Sequence, residues 1–354
     1  MAYQEFDRKQ VKFLPLKERK NKMTLKDIYQ LNDEIPKYEN PDLGILAQRI
    51  IEARQNNKPV IWMMGAHPIR RGNSRFIIDL MKRGIITHIA ANAACAIHDF
   101  ELAFQGETLE DVEYYIKDGK FGNWEETGFY INTAAIDAFK SGCGLGEAIA
   151  RMIYYGVFWS LQYDLYKPFY APYKDISVFR AAYELKIPIT VHKSIGQDIT
   201  DQHPLADFAA LGWASGKDFL IFANSIAKLE GGGVYLNIGT QVTGPEVYLK
   251  ALSMARNVAA REGREIKHFT TALFDVVDLG DWKNKDCDWH KQENYSDQSY
   301  YFRPKKTVLI RTVKDGGESF YIRGDFRATI PALYHNILKL FERRSDGKKD
   351  KKSK

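Results

Sequence analysis

A chain of 354 residues, 45% hydrophobic and 13% aromatic, has ample material for one large α/β domain or two ordinary ones. No apolar run nears the roughly 20 residues that span a bilayer, and the polar N-terminus (MAYQEFDRKQVKFLPLKERKNK) lacks a secretory apolar core. The net charge of +6 gathers at the two ends without a recognition helix, zinc finger or ribonucleoprotein signature, so nucleic acid is not an expected partner.

Basic tails that touch a polyanion through charge alone are what remains of that idea. Cys95, Cys143 and Cys287 lie far apart with no CxxC spacing. That argues against a disulfide framework or a zinc site, and for a reducing, cytoplasmic setting; no metal is expected.

In chain order, residues 1–24 read as a basic, extended and weakly ordered arm. Thr24 is placed to cap a helix over TLKDIYQLNDEI, and Pro41 to open another through Leu46, Ile50 and Ile51. Val60–Met64 is an apolar run that stops at Gly65-Ala66-His67. Phe76, Ile77, Leu80 and Met81 then recur at helical spacing, and Ile85–Ala91 is a second buried-type strand, which completes a βαβ unit. Helical segments fill much of 97–184, with breaks at Gly106, Gly119, the SGCGLG turn and Pro168/Pro172. Strand periodicity returns at Ile187–His192, Gly233–Ile238 and His268–Phe274, with helices near 215–229 and 245–260 between them. Thr307–Thr312 reads as a further strand, Ile330–Phe341 as a closing helix and 343–354 as a disordered basic tail. The βα alternation predicts a single α/β domain over 25–342, a doubly wound, mostly parallel Rossmann-like sheet with helical additions.

In such sheets ligands sit at the carboxyl ends of the strands. That rule singles out Ala66 and His67 after the first strand, and Asp99 at an expected helix start, where capping is the plain alternative. Ser194, Gly196 and Asp198 follow the strand ending at Val191. Thr271, Ala272 and Asp275 are expected to end a later strand, and Asp325 to precede the last helix as a cap or a ligand contact. Lys305 and Lys306 stand before the expected strand at Thr307; on residue type alone a lysine there is more often a strand-edge charge than a nucleophile. His192 could serve as a base or be a buried structural histidine. The irregular stretch 277–304 interleaves Trp282, Trp289 and Tyr301 with Asp281, Asp288 and Asp297. That pattern suits an aliphatic polyamine, or docking on a partner subunit. No GxGxxG follows the first strand and no GxxxxGK[ST] occurs; Gly231-Gly232-Gly233 precedes a strand and reads as a turn.

GAHPIRRG, GIITHIA and AIHDFELAFQGET, followed in order by TVHKSIGQDI, LEGGGVYLNIGT, HFTTALFD and YYFRPKKTVLIRTVKDGGESFYIRGD, resemble the deoxyhypusine synthase family, particularly its synthase-like branch. The resemblance runs from about Thr24 to about Phe341. It implies an NAD-binding fold assembled as a homotetramer. NAD would lie against Ala66, His67, Asp99, Ser194, Thr271, Ala272, Asp275 and Asp325, and the substrate against Asp198, Asn237 and Tyr301. Lys306, or its neighbour Lys305, would form an imine with the aminobutyl fragment of spermidine.

The chain departs from the family in three places. Arg303-Pro304-Lys305 replaces a tryptophan–glycine pair, and Ala93-Ala94-Cys95-Ala96 replaces a glycine-rich turn. The histidine pair expected after the triple glycine is missing, and Asn237 nearby cannot act as a base. The expectation is NAD-dependent aminoalkyl transfer from a polyamine to a protein lysine or a small amine. The alternative is an NAD-binding module with a sensing or scaffolding role.

Overall fold

The computed structural model describes residues 3–160, 165–284 and 301–349. Its strands are β1 (Asn21–Thr24), β2 (Val60–Met64), β3 (His88–Asn92), β4 (Glu107–Glu110), β5 (Val157–Ser160), β6 (Leu165–Pro168), β7 (Ile189–His192), β8 (Val234–Ile238), β9 (Thr270–Asp275) and β10 (Glu318–Arg323). The helices are α1 (Pro41–Gln55), α2 (His67–Arg70), α3 (Ser74–Lys82), α4 (Ala93–Gln105), α5 (Val112–Ile116), α6 (Glu125–Ser141), α7 (Leu145–Tyr155), α8 (Val178–Glu184), α9 (Phe208–Ile226), α10 (Thr243–Arg261) and α11 (Phe326–Lys349). None of the described helices is long and apolar enough to cross a membrane.

Where one domain was expected, the chain forms two compact units. The first is Met1–Ile28 with Asn92–Phe219, and the second is Tyr29–Ala91 with Leu220–Lys354.

The second unit contains parallel strands in the order β10-β9-β8-β2-β3. Every residue of β2, β8 and β9 is buried, which explains their mostly apolar character in sequence. From β2 the chain steps to β3 on one side, whereas β8, β9 and β10 build outward on the other. The order therefore reverses between β2 and β8, and such a switch point opens a crevice at the strands' carboxyl ends. Helix α1 forms as expected: Pro41 sits at its start, Asn40 accepts from the Asp42 amide at 2.8 Å, and Leu43, Leu46, Ala47, Ile50 and Ile51 are buried at helical spacing.

Two expectations about local structure fail in identifiable ways. Thr24 does cap a turn, with Asp27 returning the bond in a capping box, but the turn is only the 3-10 helix Leu25–Asp27 because Ile28 is already extended. Thr307–Thr312 is not a strand; Lys305–Arg311 forms a π-helical turn. Strand β9 already has β8 on one edge and β10 on the other, so the apolar run has no ladder to join beside it. Val308 and Leu309 are buried by packing instead, while the Thr271 hydroxyl donates to the Val308 carbonyl and the Ser319 hydroxyl to that of Leu309, both at 2.6 Å. The closing helix is longer than expected and runs to Lys349, through most of the presumed disordered tail; 350–354 lie outside the described residues.

In the first unit, the presumed weakly ordered arm is built into the fold. β1 pairs antiparallel with β4, and Leu16 is fully buried in a cluster with Tyr115 and Trp124. Arg19 makes a buried, two-pronged ion pair with Glu101 that Thr108 and Thr127 complete. Burial alone would raise the Glu101 pKa, but Arg19 above all pulls it below the usual carboxylate range. The arm's apolar and charged residues thus find partners that its basic composition does not reveal.

Candidate functional site at the carboxyl edge of the second unit

Past the ends of β2, β8, β9 and β10, the hydrogen-bond ladder continues by one step. Gly65 N donates to Ile238 O at 3.0 Å, Gly239 N to Phe274 O at 3.1 Å, and Gly324 N to Asp275 O at 3.0 Å. Three of the four strands therefore end in a glycine at nearly the same level. At the switch point the two loops abut: a Cβ on Gly65 would stand 2.2 Å from the Gly239 carbonyl oxygen. Gly239 has φ +60° and Gly324 φ +155°, conformations that suit glycine. The result is a shelf of backbone, with the rings of Phe326 and Tyr38 packed close to Gly239 and Gly324.

Basic residues gather on the β2 side of this shelf. His67 and Arg70 lie on α2, and Arg71 follows it. Arg71 pairs with Asp325, whose carboxylate also accepts from the Arg327 amide at 2.8 Å and so caps α11. His67 is exposed, yet the packing around its ring, then Arg70 and Arg71, hold its pKa below the ordinary value, with Asp325 opposing. Arg70 makes no side-chain hydrogen bond or ion pair among the described residues, although it is half-buried. A guanidinium left in that state invites an anion.

On the β9 side stands Asp275, 2% exposed. Its carboxylate accepts from the Val276 amide at 2.8 Å and from Gln241 at 3.4 Å. Burial outweighs these bonds and raises its pKa. Ala66, His67, Asp275 and Asp325 are thus brought together at one edge, as the strand-end rule requires. Gly239, Gly324, Gln241 and Arg70 join them unforeseen. Of these, only Arg70 had a visible signal, the doubled arginine of GAHPIRRG.

Other expected site residues fall elsewhere. Thr271 and Ala272 do not end a strand: β9 begins at Thr270, so both are buried near its start, and the Thr271 hydroxyl is committed to Val308. Asn237 is fully buried inside β8, where its amide donates to Thr240 O at 2.9 Å and braces the following turn. Asp99 is not at a helix start, because Asn92 caps α4 several residues earlier through the Cys95 amide. From the interior of α4, its 1%-exposed carboxylate accepts from the Ser177 hydroxyl and the Val178 and Phe179 amides, capping α8. Burial pushes its pKa up to about 6. The alanine-rich segment beside it, Ala93 to Ala96, is the first turn of α4. His192 is buried against Thr190 and held neutral by desolvation, its pKa depressed to about 3, so it behaves as a structural histidine.

Lys305 and Lys306 open the π-helical turn. Just before them, Arg303 pairs at 2.9 Å with Glu246 in the first turn of α10, the helix that follows the carboxyl end of β8. Lys305 is 3% exposed. Lys306 is half-buried, with its ammonium 5.7 Å from the ring centre of Tyr301, which is itself 71% exposed. Trp289 and Asp288 lie outside the described residues, as do Asp297 and Cys287.

In the first unit, the loop after β7 carries Ser194 and Asp198. Lys193, which motif reading passed over, places its ammonium 2.9 Å from Asp198 and 2.7 Å from Asp201 with its side chain 1% exposed. Asp201 also accepts from the Gly196 amide at 2.7 Å. Burial raises the Asp198 pKa, Lys193 opposes this and Asp201 adds to it.

A separate cleft of about 360 Å³ opens at the strands' amino ends, lined by Arg49, Glu318, Thr270 and His268 among others. Its charges already pair with one another or with adjacent residues, Arg49 with Glu318 and His268 with Glu230.

No protein-family model and no curated protein sequence matches the chain. Among solved structures, the apo form of ArgZ, an arginine dihydrolase of the cyanobacterial ornithine–ammonia cycle, matches 86% of this chain and 34% of its own at 13% identity and a TM-score of 0.45. A conserved LOR/SDH protein of Methanococcus maripaludis matches 87% and 73%, also at 13% identity, with a TM-score of 0.44. AgrE in ternary complex with ornithine and NAD+ matches 84% and 33%, again at 13% identity and 0.44. The chain spans about a third of the length of the ArgZ and AgrE chains. None of these three is a deoxyhypusine synthase, and the strand order itself establishes an α/β architecture with a Rossmann-like parallel sheet.

Proposed function

We propose that the chain is an NAD-dependent enzyme of amine metabolism that transfers an aminoalkyl group from a polyamine such as spermidine through an imine on Lys305. One observation carries this reading: the glycine shelf at the β2/β8 switch point, with an arginine that has no partner among the described residues on one side and a buried carboxylate on the other. A dinucleotide is a diphosphate between two ribose diols. Arg70 and His67 suit the diphosphate, Asp275 suits a ribose hydroxyl, and glycine allows close approach. The nicotinamide would supply a hydride acceptor that later returns the hydride.

The remaining roles belong to the chain. An imine survives only away from water, and Lys305 is shielded accordingly. Its Nζ would bond to the activated carbon of the oxidised amine as the carbon–nitrogen bond to the departing diamine breaks. The acceptor amine, a protein lysine or a small molecule, would then take the place of Nζ at that carbon before reduction. Asn237 and His192 are both engaged inside the fold, so neither is assigned as a base. In the first unit, Lys193 sets one ammonium against the two carboxyl groups of Asp198 and Asp201, and Asp198 is the residue proposed to meet a substrate ammonium. Lys306 is the alternative nucleophile.

The test is borohydride reduction after incubation with NAD and spermidine. Peptide mass spectrometry should find an aminobutyl adduct on Lys305 that Lys305→Arg abolishes. NAD binding without any adduct would favour a binding module, and no NAD binding would end the proposal.

A further inference from the structure

We propose that Arg8 is a positioning residue: it clamps the loop after β7, so that the N-terminal segment sets how well that loop receives an amine. The inference rests on the amine reading above and adds a residue far from it in sequence.

Asp7 caps a 3-10 turn over Arg8–Gln10, which fixes where Arg8 leaves the backbone. The half-buried Arg8 guanidinium then donates to three carbonyls of one short segment: Asp201 at 3.1 Å, His203 at 3.2 Å and Ala206 at 3.1 Å. It also lies 4.4 Å from the ring centre of Phe208, and Phe13 packs edge-on against His203 at 4.6 Å. A planar fork of five donors can hold three diverging carbonyls at once, which a lysine ammonium cannot do in the same geometry.

The clamped residue Asp201 is the hinge of the arrangement. Its side chain holds the Gly196 amide and the Lys193 ammonium, and Lys193 in turn holds Asp198. A continuous line of polar contacts therefore links Arg8 to both ends of the 193–201 loop. Among the described residues, Glu125 is the acidic group facing His203, at 3.6 Å, so the far side of the clamp is also occupied. Gly65, Gly239 and Asp275 belong to the second unit. A loosened clamp should therefore alter amine use and leave NAD binding alone.

The experiment compares the full chain with Arg8→Ala and Arg8→Lys. Amide hydrogen exchange over 196–206 should speed up about tenfold in both variants, the scale of one lost charge-assisted bond. The KM for the amine should rise by a similar factor while the Kd for NAD stays unchanged, and millimolar guanidinium should partly reverse both effects in Arg8→Ala. Arg8→Lys keeps the charge and guards against a folding defect. Loop exchange unchanged in both variants overturns the proposal, as does a looser loop with unaltered amine KM. If the wild-type chain traps no amine, that loss belongs to the amine reading, and the exchange rates alone decide the clamp.

Discussion

Gly65→Ala tests the shelf most directly. The added methyl would sit 2.2 Å from the Gly239 carbonyl oxygen and 3.1 Å from its carbon. Both are backbone atoms at the end of a buried strand, so relief requires moving a loop by roughly 1 Å. Overpacking of this kind costs about 1–3 kcal/mol. Losing the Gly65–Ile238 ladder bond adds about 1 kcal/mol. Reduced freedom of the unfolded chain returns about 0.4–1 kcal/mol. The net expectation is a loss of about 2–3 kcal/mol, read as a lower urea midpoint with unchanged slope. Gly44→Ala is the matched control. It lies inside α1 with nothing within 4 Å of the new methyl, and should stabilise by about 1 kcal/mol. NAD affinity should fall in Gly65→Ala and not in Gly44→Ala. A Gly65→Ala protein with a wild-type midpoint and wild-type NAD binding would refute the tight meeting of the two loops.

Further expectations concern the buried charges. His192, with its pKa depressed to about 3, favours the folded state above about pH 6.5 and withdraws that support as pH falls towards 3. Asp99 and Asp218, raised to about 6 and about 7, act the other way: their contribution is greatest in acid and fades as pH rises through those values. His192→Gln should therefore unmask a gain in urea midpoint on acidification from pH 7 to pH 4, with roughly 3 kcal/mol as the ceiling for His192 alone over that range; a pH profile parallel to wild type would contradict it. Arg19→Ala leaves Glu101 buried without its partner and should cost about 3–5 kcal/mol by urea unfolding, whereas a loss under 1 kcal/mol would mean water reaches the site. Gly144→Ala should destabilise too, because its methyl would fall 1.7 Å from the Asp218 carboxylate that holds the Gly146 and Val191 amides. Arg70→Ala should weaken NAD binding and flatten its salt dependence without lowering the urea midpoint; unchanged affinity would remove Arg70 from the site.

Much of the second unit is legible in the sequence, because β2, β8 and β9 are largely apolar runs that stop at small or acidic residues. What defeated a linear reading was competition between elements. The residues Thr307–Thr312 carry strand propensity, yet a strand needs a free edge, and only tertiary structure tells that β9 has none. Strand β10 was missed for the complementary reason: Glu318 and Ser319 hide a short run of which only Phe320, Tyr321 and Ile322 are buried. Asp99 is expected at a helix start as a cap or an NAD contact, and it instead lies inside α4 and caps a different helix, α8, far along the chain. The strand-end rule suffices to place Ala66, His67 and Asp275 at one edge of the sheet. No such rule reveals that Arg70 lacks a partner among the described residues, since a missing partner is a property of everything around a residue.

The division of the chain has a consequence for biosynthesis. Each unit is assembled from two stretches separated by part of the other, and Arg19 must wait for Glu101, 82 positions later, before its charge is matched. Residues 1–28 therefore emerge from the ribosome long before residue 219 completes their unit, an interval on the order of 10–40 s at ordinary translation rates. Leu16 and the charge on Arg19 stay uncovered until Glu101, Tyr115 and Trp124 have been added.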